Sequence, residues 1–235
     1  MSENQDAIVG RPAPFVLNIP FGRNWGVVTP NVYRYEDQRW IDEFFNTGRL
    51  RLSSFAKFAK YPDESRGDTN EGSAFCYGAV PQNKCIGVFQ TQGLASTILC
   101  CSHRLDRNLQ AAFQRDSVFE IINTVLFATE IARQIAGFRQ GHEGSCIYRP
   151  IRTIQRPLNI DPEFDKLPGD ALDSLFDDAT QALGGPELIL LKEQKYDQQM
   201  EYRMWWELDA LGNDFLDVEA PLAREHCRQV RASDY

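Results

Sequence analysis

The run from Glu201 to Leu208 (Glu-Tyr-Arg-Met-Trp-Trp-Glu-Leu) constrains this chain most. It alternates Tyr202, Met204 and Trp206 with Arg203, Trp205 and Glu207, the period of a strand with one side chain up and the next down. Bulky apolar neighbours on both sides predict a strand inside a core. Arg203 is thereby committed to burial, and a buried charge requires a counter-charge or a ligand. Arg34, inside Val32-Tyr33-Arg34-Tyr35, carries the same signature.

The rest of the chain supplies material for a sheet of this kind. Phe15–Ile19, Val27–Tyr35 around Pro30, Leu50–Ser53, Cys146–Ile154 and Glu187–Lys192 read as strands. Ala74–Val80, Cys85–Gln90 and Ser96–Ser102 read as an antiparallel meander, with Pro81-Gln82-Asn83 and Gly93 as turns. Trp40, Ile41, Phe44 and Phe45 recur at helical spacing before Gly48, which suits a left-handed cap. Ser117 and Glu120 read as a capping box opening a long buried helix to Phe138, and Ala171–Leu183 reads as an amphipathic helix stopped by Gly184-Gly185-Pro186. No repeat, low-complexity run or Pro/Ser-rich linker divides residues 1–235. The expected class is α+β, a single domain with a mainly antiparallel, split sheet and flanking helices.

Composition trims the functions available. The net charge of −8 disfavours non-specific binding to phosphate backbones. Polar residues interrupt the most apolar stretch, Val118–Phe138, too often for a bilayer span, and Met1–Gln5 lacks the pattern of a secretion signal, so a cytoplasmic protein without membrane contact is expected. Cys76, Cys85, Cys100, Cys101, Cys146 and Cys227 are then expected as reduced, mostly buried thiols. Gly137, Gly141 and Gly144 follow a helix and lack the Lys-Ser/Thr pair of a phosphate loop. Cys100, Cys101 and His103 make a poor metal set, because strand alternation points the two thiols to opposite faces; no metal is expected. Cys101 with His103 lacks an orienting third group for nucleophilic catalysis. Asp177-Asp178 and Asp214, Asp217 and Glu219 read as solvated surface. Tyr61–Gly72, rich in turn formers and acids, reads as an exposed loop bordering a site.

The order VYRY, a helix, LRLSS, the acidic GDTNEG loop, LCCS and the closing LKEQKYDQQMEYR resembles the bacterial family called DUF2971, whose closing pattern is K…E-x-E-x-R. Here Gln199 replaces the first Glu of that pattern and Cys101 replaces its usual Phe. The resemblance places a glutamate, Glu71, at the end of the acidic loop, where it would meet Arg34 or Arg203. The order Arg, Ser, then Gln-x-Glu is also similar to the Arg-Ser-Glu class of ADP-ribosyltransferases. That resemblance implies NAD as substrate, held by Arg34 and by Ser53 or Ser54, with Glu201 as catalytic carboxylate and Gln199 facing a protein or nucleic-acid acceptor. It implies a toxic effector of a bacterial defence or toxin system. The alternative is a non-catalytic module that senses a nucleotide or a partner protein, in which Arg34, Arg203 and Glu201 form a structural network; a partner protein or a homo-oligomer fits either reading.

Overall fold

The computed structural model describes residues 15–19, 23–27, 29–58, 70–231 and 234. In chain order the elements are β1 (Phe15–Ile19), β2 (Arg23–Val27), β3 (Val32–Glu36), α1 (Gln38–Thr47), β4 (Arg49–Ser54), α2 (Phe55–Phe58), β5 (Ser73–Val80), β6 (Lys84–Thr91) and β7 (Ser96–Ser102). Then come α3 (Arg107–Ala112), β8 (Ser117–Ile121), α4 (Thr124–Ala132), β9 (Phe138–Ser145), β10 (Ile147–Arg149), β11 (Thr153–Pro157) and α5 (Gly169–Leu183). The last are α6 (Glu187–Leu190), β12 (Leu191–Glu193), β13 (Glu201–Leu208), β14 (Phe215–Glu219) and β15 (Cys227–Gln229). The class is α+β, with the main sheet antiparallel.

That sheet has a fork at its centre. One edge of β7 pairs along its whole length with β13, which in turn pairs with β9. The other edge pairs with β4 only at Thr97 and Ile98, and with β3 only at Ser102. From there the strands diverge, β4 leading to β14 and β3 leading through β8 to β15. The edge of β7 between the two branches has no strand partner among the described residues, which opens a cleft through the sheet.

Alternation on β13 assigns the two faces. Tyr202, Met204, Trp206 and Leu208 join Leu99, Cys101, Phe119 and the α1 and α4 residues Ile41, Phe44, Phe127 and Ile131 in the largest core. Trp205 packs oppositely, with Ile98, Phe55 and Ile189. A second core lies between the three-stranded sheet β11-β5-β6 and the helices α5 and α6. Gly48 ends α1 at φ 83° and lies so close to the backbone of Pro221 that a Cβ would sit 2.5 Å from its Cα, so glycine is required there on two counts.

Several sequence expectations need correction. Ser117–Ile121 is a strand, and the helix after it spans only Thr124–Ala132, capped by Asn123, whose side chain accepts from Leu126 N–H at 3.0 Å. The run Ser-Val-Phe-Glu-Ile is as β-prone as it is helical, and tertiary pairing between β3 and β15 decides it. Glu120 reaches Asn31 and Arg228 and makes no capping box. Glu187–Leu190 is a helical turn opened by Pro186, leaving only Leu191–Glu193 as strand. Pro150 interrupts the strand expected over Cys146–Ile154, which becomes β10 and β11. The meander stops at β6, because β7 crosses to the main sheet. Val27 belongs to the second strand of the first hairpin, Arg23–Val27, and β3 starts only after Pro30, so the strand expected over Val27–Tyr35 is divided. The polar β9, which carries no clear alternation, and β14, whose Leu216 and Val218 turn to the main core in alternation with Asp217 and Glu219, lie outside the sequence expectations. The loop expected over 61–72 falls outside the described residues up to 69; Asn70–Gly72 form a turn.

Candidate functional site

At the fork, the Arg34 side chain spans the gap. Its Nη1 donates to the carbonyl of Cys100 on β7 at 2.8 Å, and its Nη2 donates to Glu36 at 2.7 Å. Glu36 is also held by Arg115 at 2.8 Å. The carbonyl that the divergence of β3 and β4 would leave unbonded therefore has a charged donor.

The second group of charges gathers where β13 begins. Arg203 donates from Nε to Oε1 of Glu201 at 2.6 Å, and Lys192, from β12, bonds Oε2. Arg203 then meets Glu71 end-on, with Nη1 and Nη2 at 2.7 and 2.8 Å from its two carboxylate oxygens, and donates also to the Ile189 carbonyl. Lys192 Nζ reaches Gln199 Oε1 at 2.7 Å. Glu201 N–H donates to the Tyr148 hydroxyl at 2.7 Å. Two cations and two anions are thus joined in a network whose side chains are each less than a tenth exposed, which explains how Arg203 tolerates its place among aromatic residues. Burial opposes ionisation of Glu201, but the charges and hydrogen bonds of Arg203 and Lys192 outweigh it and hold the carboxyl well below its usual range. The same balance, burial opposed by Glu201, leaves Lys192 above its ordinary value.

Gln199 is presented by an uncommon backbone. Met200 adopts a left-handed conformation, φ 41°, fixed by His103 N–H donating to its carbonyl at 2.9 Å and by the Ser102 hydroxyl donating to the Gln199 carbonyl at 2.7 Å.

A cavity of about 390 Å³ runs through the fork, within the range of small-ligand sites. Arg34, Ser53, Glu71, Gln199 and Glu201 all line it, which brings together five of the seven residues singled out from the sequence. Ser54 is not among its walls; it is buried, and its hydroxyl accepts the N–H of Lys57 at 3.2 Å. Arg203 stands behind the wall, between Glu71 and Glu201. The rest of the wall mixes apolar and aromatic side chains, Trp40, Phe44 and Phe119 among them, with charged ones that include Glu36, Glu43, Arg115 and Asp217. Sequence reasoning passed over Lys192 as a site residue; a lysine closing the apolar run from Leu188 was the available signal. It also passed over Cys100, Arg49 and Arg51, which border the same space.

Cys100 and Cys101 point to opposite faces, as alternation required, and all six cysteines are free. Among the described residues no group of three or more His, Cys, Asp or Glu side chains is placed to hold a metal ion. Nor is any described helix long and apolar enough to cross a membrane. Compared with protein families, curated proteins and solved structures, the chain matches none.

Proposed function

We propose that this chain is a cytoplasmic, NAD-dependent ADP-ribosyltransferase-like protein, the toxic effector of a bacterial defence or toxin system, acting on a protein or nucleic-acid acceptor. One observation carries the reading: Arg34, Ser53 and Glu201, from three different strands, border one cavity at the fork. In this reading NAD lies in the cleft. Its nicotinamide leaves with the electron pair of the glycosidic bond, and the ribose carbon becomes an oxocarbenium ion. Glu201 stays ionised beside that charge and accepts a hydrogen bond from the ribose 2′-hydroxyl. Two of its four lone-pair sites are taken by Lys192 and Arg203, and the others remain for substrate. Ser53 orients the ribose. Gln199 faces the acceptor, whose nucleophilic atom bonds to the ribose carbon and releases its proton; water in that position would give hydrolysis.

A second reading is favoured by the closure of the charged network, in which both oxygens of Glu201 and of Glu71 already have partners within the chain. On that reading the module binds a nucleotide or a partner without chemistry. Incubation with NAD and chromatography of released nicotinamide separates the two. Release that disappears in Glu201→Gln supports the transferase; saturable NAD binding without release supports the binding module.

A further inference from the structure

The strand β4 carries a feature that the roles above do not use. Its sequence, Arg-Leu-Arg-Leu-Ser-Ser, puts Arg49, Arg51 and Ser53 on one side at two-residue spacing, while Leu52 and Ser54 are buried on the other. All three of the first set border the cavity. Successive members are about 7 Å apart along the strand, so the row leads outward from the serine.

Among the described residues the two arginines pair only with carboxylates that are themselves partly exposed. Arg51 grips Asp217 with Nε and Nη2 at 2.7 and 2.9 Å, and Arg49 reaches the same carboxylate at 3.6 Å and Glu43 at 3.2 Å. Half of each arginine side chain remains open to solvent. Lys57 adds a third cation, its Nζ 3.0 Å from the centre of the Phe215 ring, over which Arg51 also lies at 5.0 Å. Phe215 is the cross-strand neighbour of Ser53 and borders the cavity too. Exposed ion pairs in general contribute little to stability, and a bidentate pair such as Arg51–Asp217 stands at the upper end of their range. Planar guanidinium forks side by side at a cavity mouth suit phosphate oxygens. Arg34 offers a poorer grip, since its guanidinium is tied to the Cys100 carbonyl and to Glu36 and is less than a quarter exposed.

We propose that Arg49 and Arg51, outward along the row from the ribose-orienting Ser53, form a subsite for the phosphates of a nucleoside diphosphate, and that Asp217 occupies this subsite as an internal competitor when no ligand is bound. The inference deepens the nucleotide reading by moving the phosphate grip from Arg34 to β4, and it rests on that reading only for the nucleoside part.

The test is calorimetry with ADP, inorganic pyrophosphate and, as the phosphate-free control, adenosine, at low ionic strength. The expected results are that ADP binds more tightly than adenosine, that pyrophosphate binds alone, and that Arg49→Ala and Arg51→Ala each weaken ADP about tenfold without changing adenosine. Asp217→Asn should tighten ADP and pyrophosphate, since it removes the competing charge; a merely structural Arg51–Asp217 pair would make Arg51→Ala and Asp217→Asn neutral toward both ligands. Raising the salt should narrow the gap between ADP and adenosine. The proposal is overturned if wild-type protein binds neither ADP nor pyrophosphate at millimolar concentration. It is equally overturned if the doubly substituted Arg49→Ala/Arg51→Ala protein, folded by circular dichroism, binds ADP as wild type does. None of these readings requires turnover, so an absence of nicotinamide release with the ADP results intact would refute the transferase and leave the subsite standing.

Discussion

Arg203 and Glu201, two positions apart on β13, share one face of the strand and are joined at 2.6 Å inside the protein. Lys192 closes the other oxygen of the carboxylate, so removing the Glu201 charge leaves two buried cations facing only Glu71. Glu201→Gln is therefore expected to abolish nicotinamide release and also to lower stability by about 3–5 kcal/mol. The double variant Glu201→Gln/Lys192→Met, which restores the charge balance, should recover part of that stability but none of the turnover. Urea unfolding of the single and double variants measures this. Equal instability of the two would mean that Lys192 is not coupled to Glu201.

The acid limb of stability should report the same carboxylate. Glu201 has its folded-state pKa below the unfolded value, so its contribution is present above about pH 4.3 and is lost as pH falls from there toward the folded value. Wild type and Glu201→Gln should differ most near neutrality, and the difference should narrow from about pH 5 through about pH 3 and go on narrowing toward the lower folded-state value. A constant difference across that interval, in unfolding free energies measured at each pH, would remove Glu201 from the set of groups governing acid stability.

Arg34→Ala distinguishes a strut from a ligand grip. The substitution leaves the Cys100 carbonyl without its donor at the fork and costs Glu36 one of its two arginines. A loss of about 1 kcal/mol or more is expected from the half-buried carbonyl left without its charged donor, with ADP affinity reduced less than by Arg51→Ala. Unchanged unfolding free energy together with collapsed ADP affinity would return the phosphate grip to Arg34.

Legibility in the sequence followed the strength of local pattern. Period-two alternation made β13 readable, and helical spacing with a closing glycine did the same for α1 and for α5, whose stop at Gly184 matches the expected one. Ser117–Ile121 was misread because five apolar or polar-capping residues in a row satisfy both templates, and only its partners β3 and β15 break the tie. The strand β9, Phe-Arg-Gln-Gly-His-Glu-Gly-Ser, lies at the sheet edge with mostly exposed side chains, so solvent imposes no hydrophobic period on it. In the site, a buried arginine announced that a partner must exist, and Glu71 meets it from 132 residues away. Lys192 was not identified because the fold, by pairing β12 with β10 beside β13, creates its burial. The row on β4 was quoted as a motif for its serines alone; the cavity beside it gives Arg49 and Arg51 their meaning.

The cysteines give a test of burial that does not depend on any ligand. Desolvation pushes the thiols of Cys101 and Cys146 up to about 12, and raises those of Cys100 and Cys227 well above the ordinary value. Only the thiolate attacks an alkylating reagent, and at pH 8 a thiol with a pKa near 12 is ionised to about one part in ten thousand. Cys85, on β6, is exposed to the reagent. Iodoacetamide at pH 8 should therefore modify Cys85 first in the native protein and reach Cys101 and Cys146 only on unfolding. Peptide mass spectrometry over a time course reads the order directly. Cys101 sits in the main core and Cys146 beside the Glu201 network, so alkylation of either at the rate of Cys85 would show that the fork and its charged network open in solution far more readily than their packing implies.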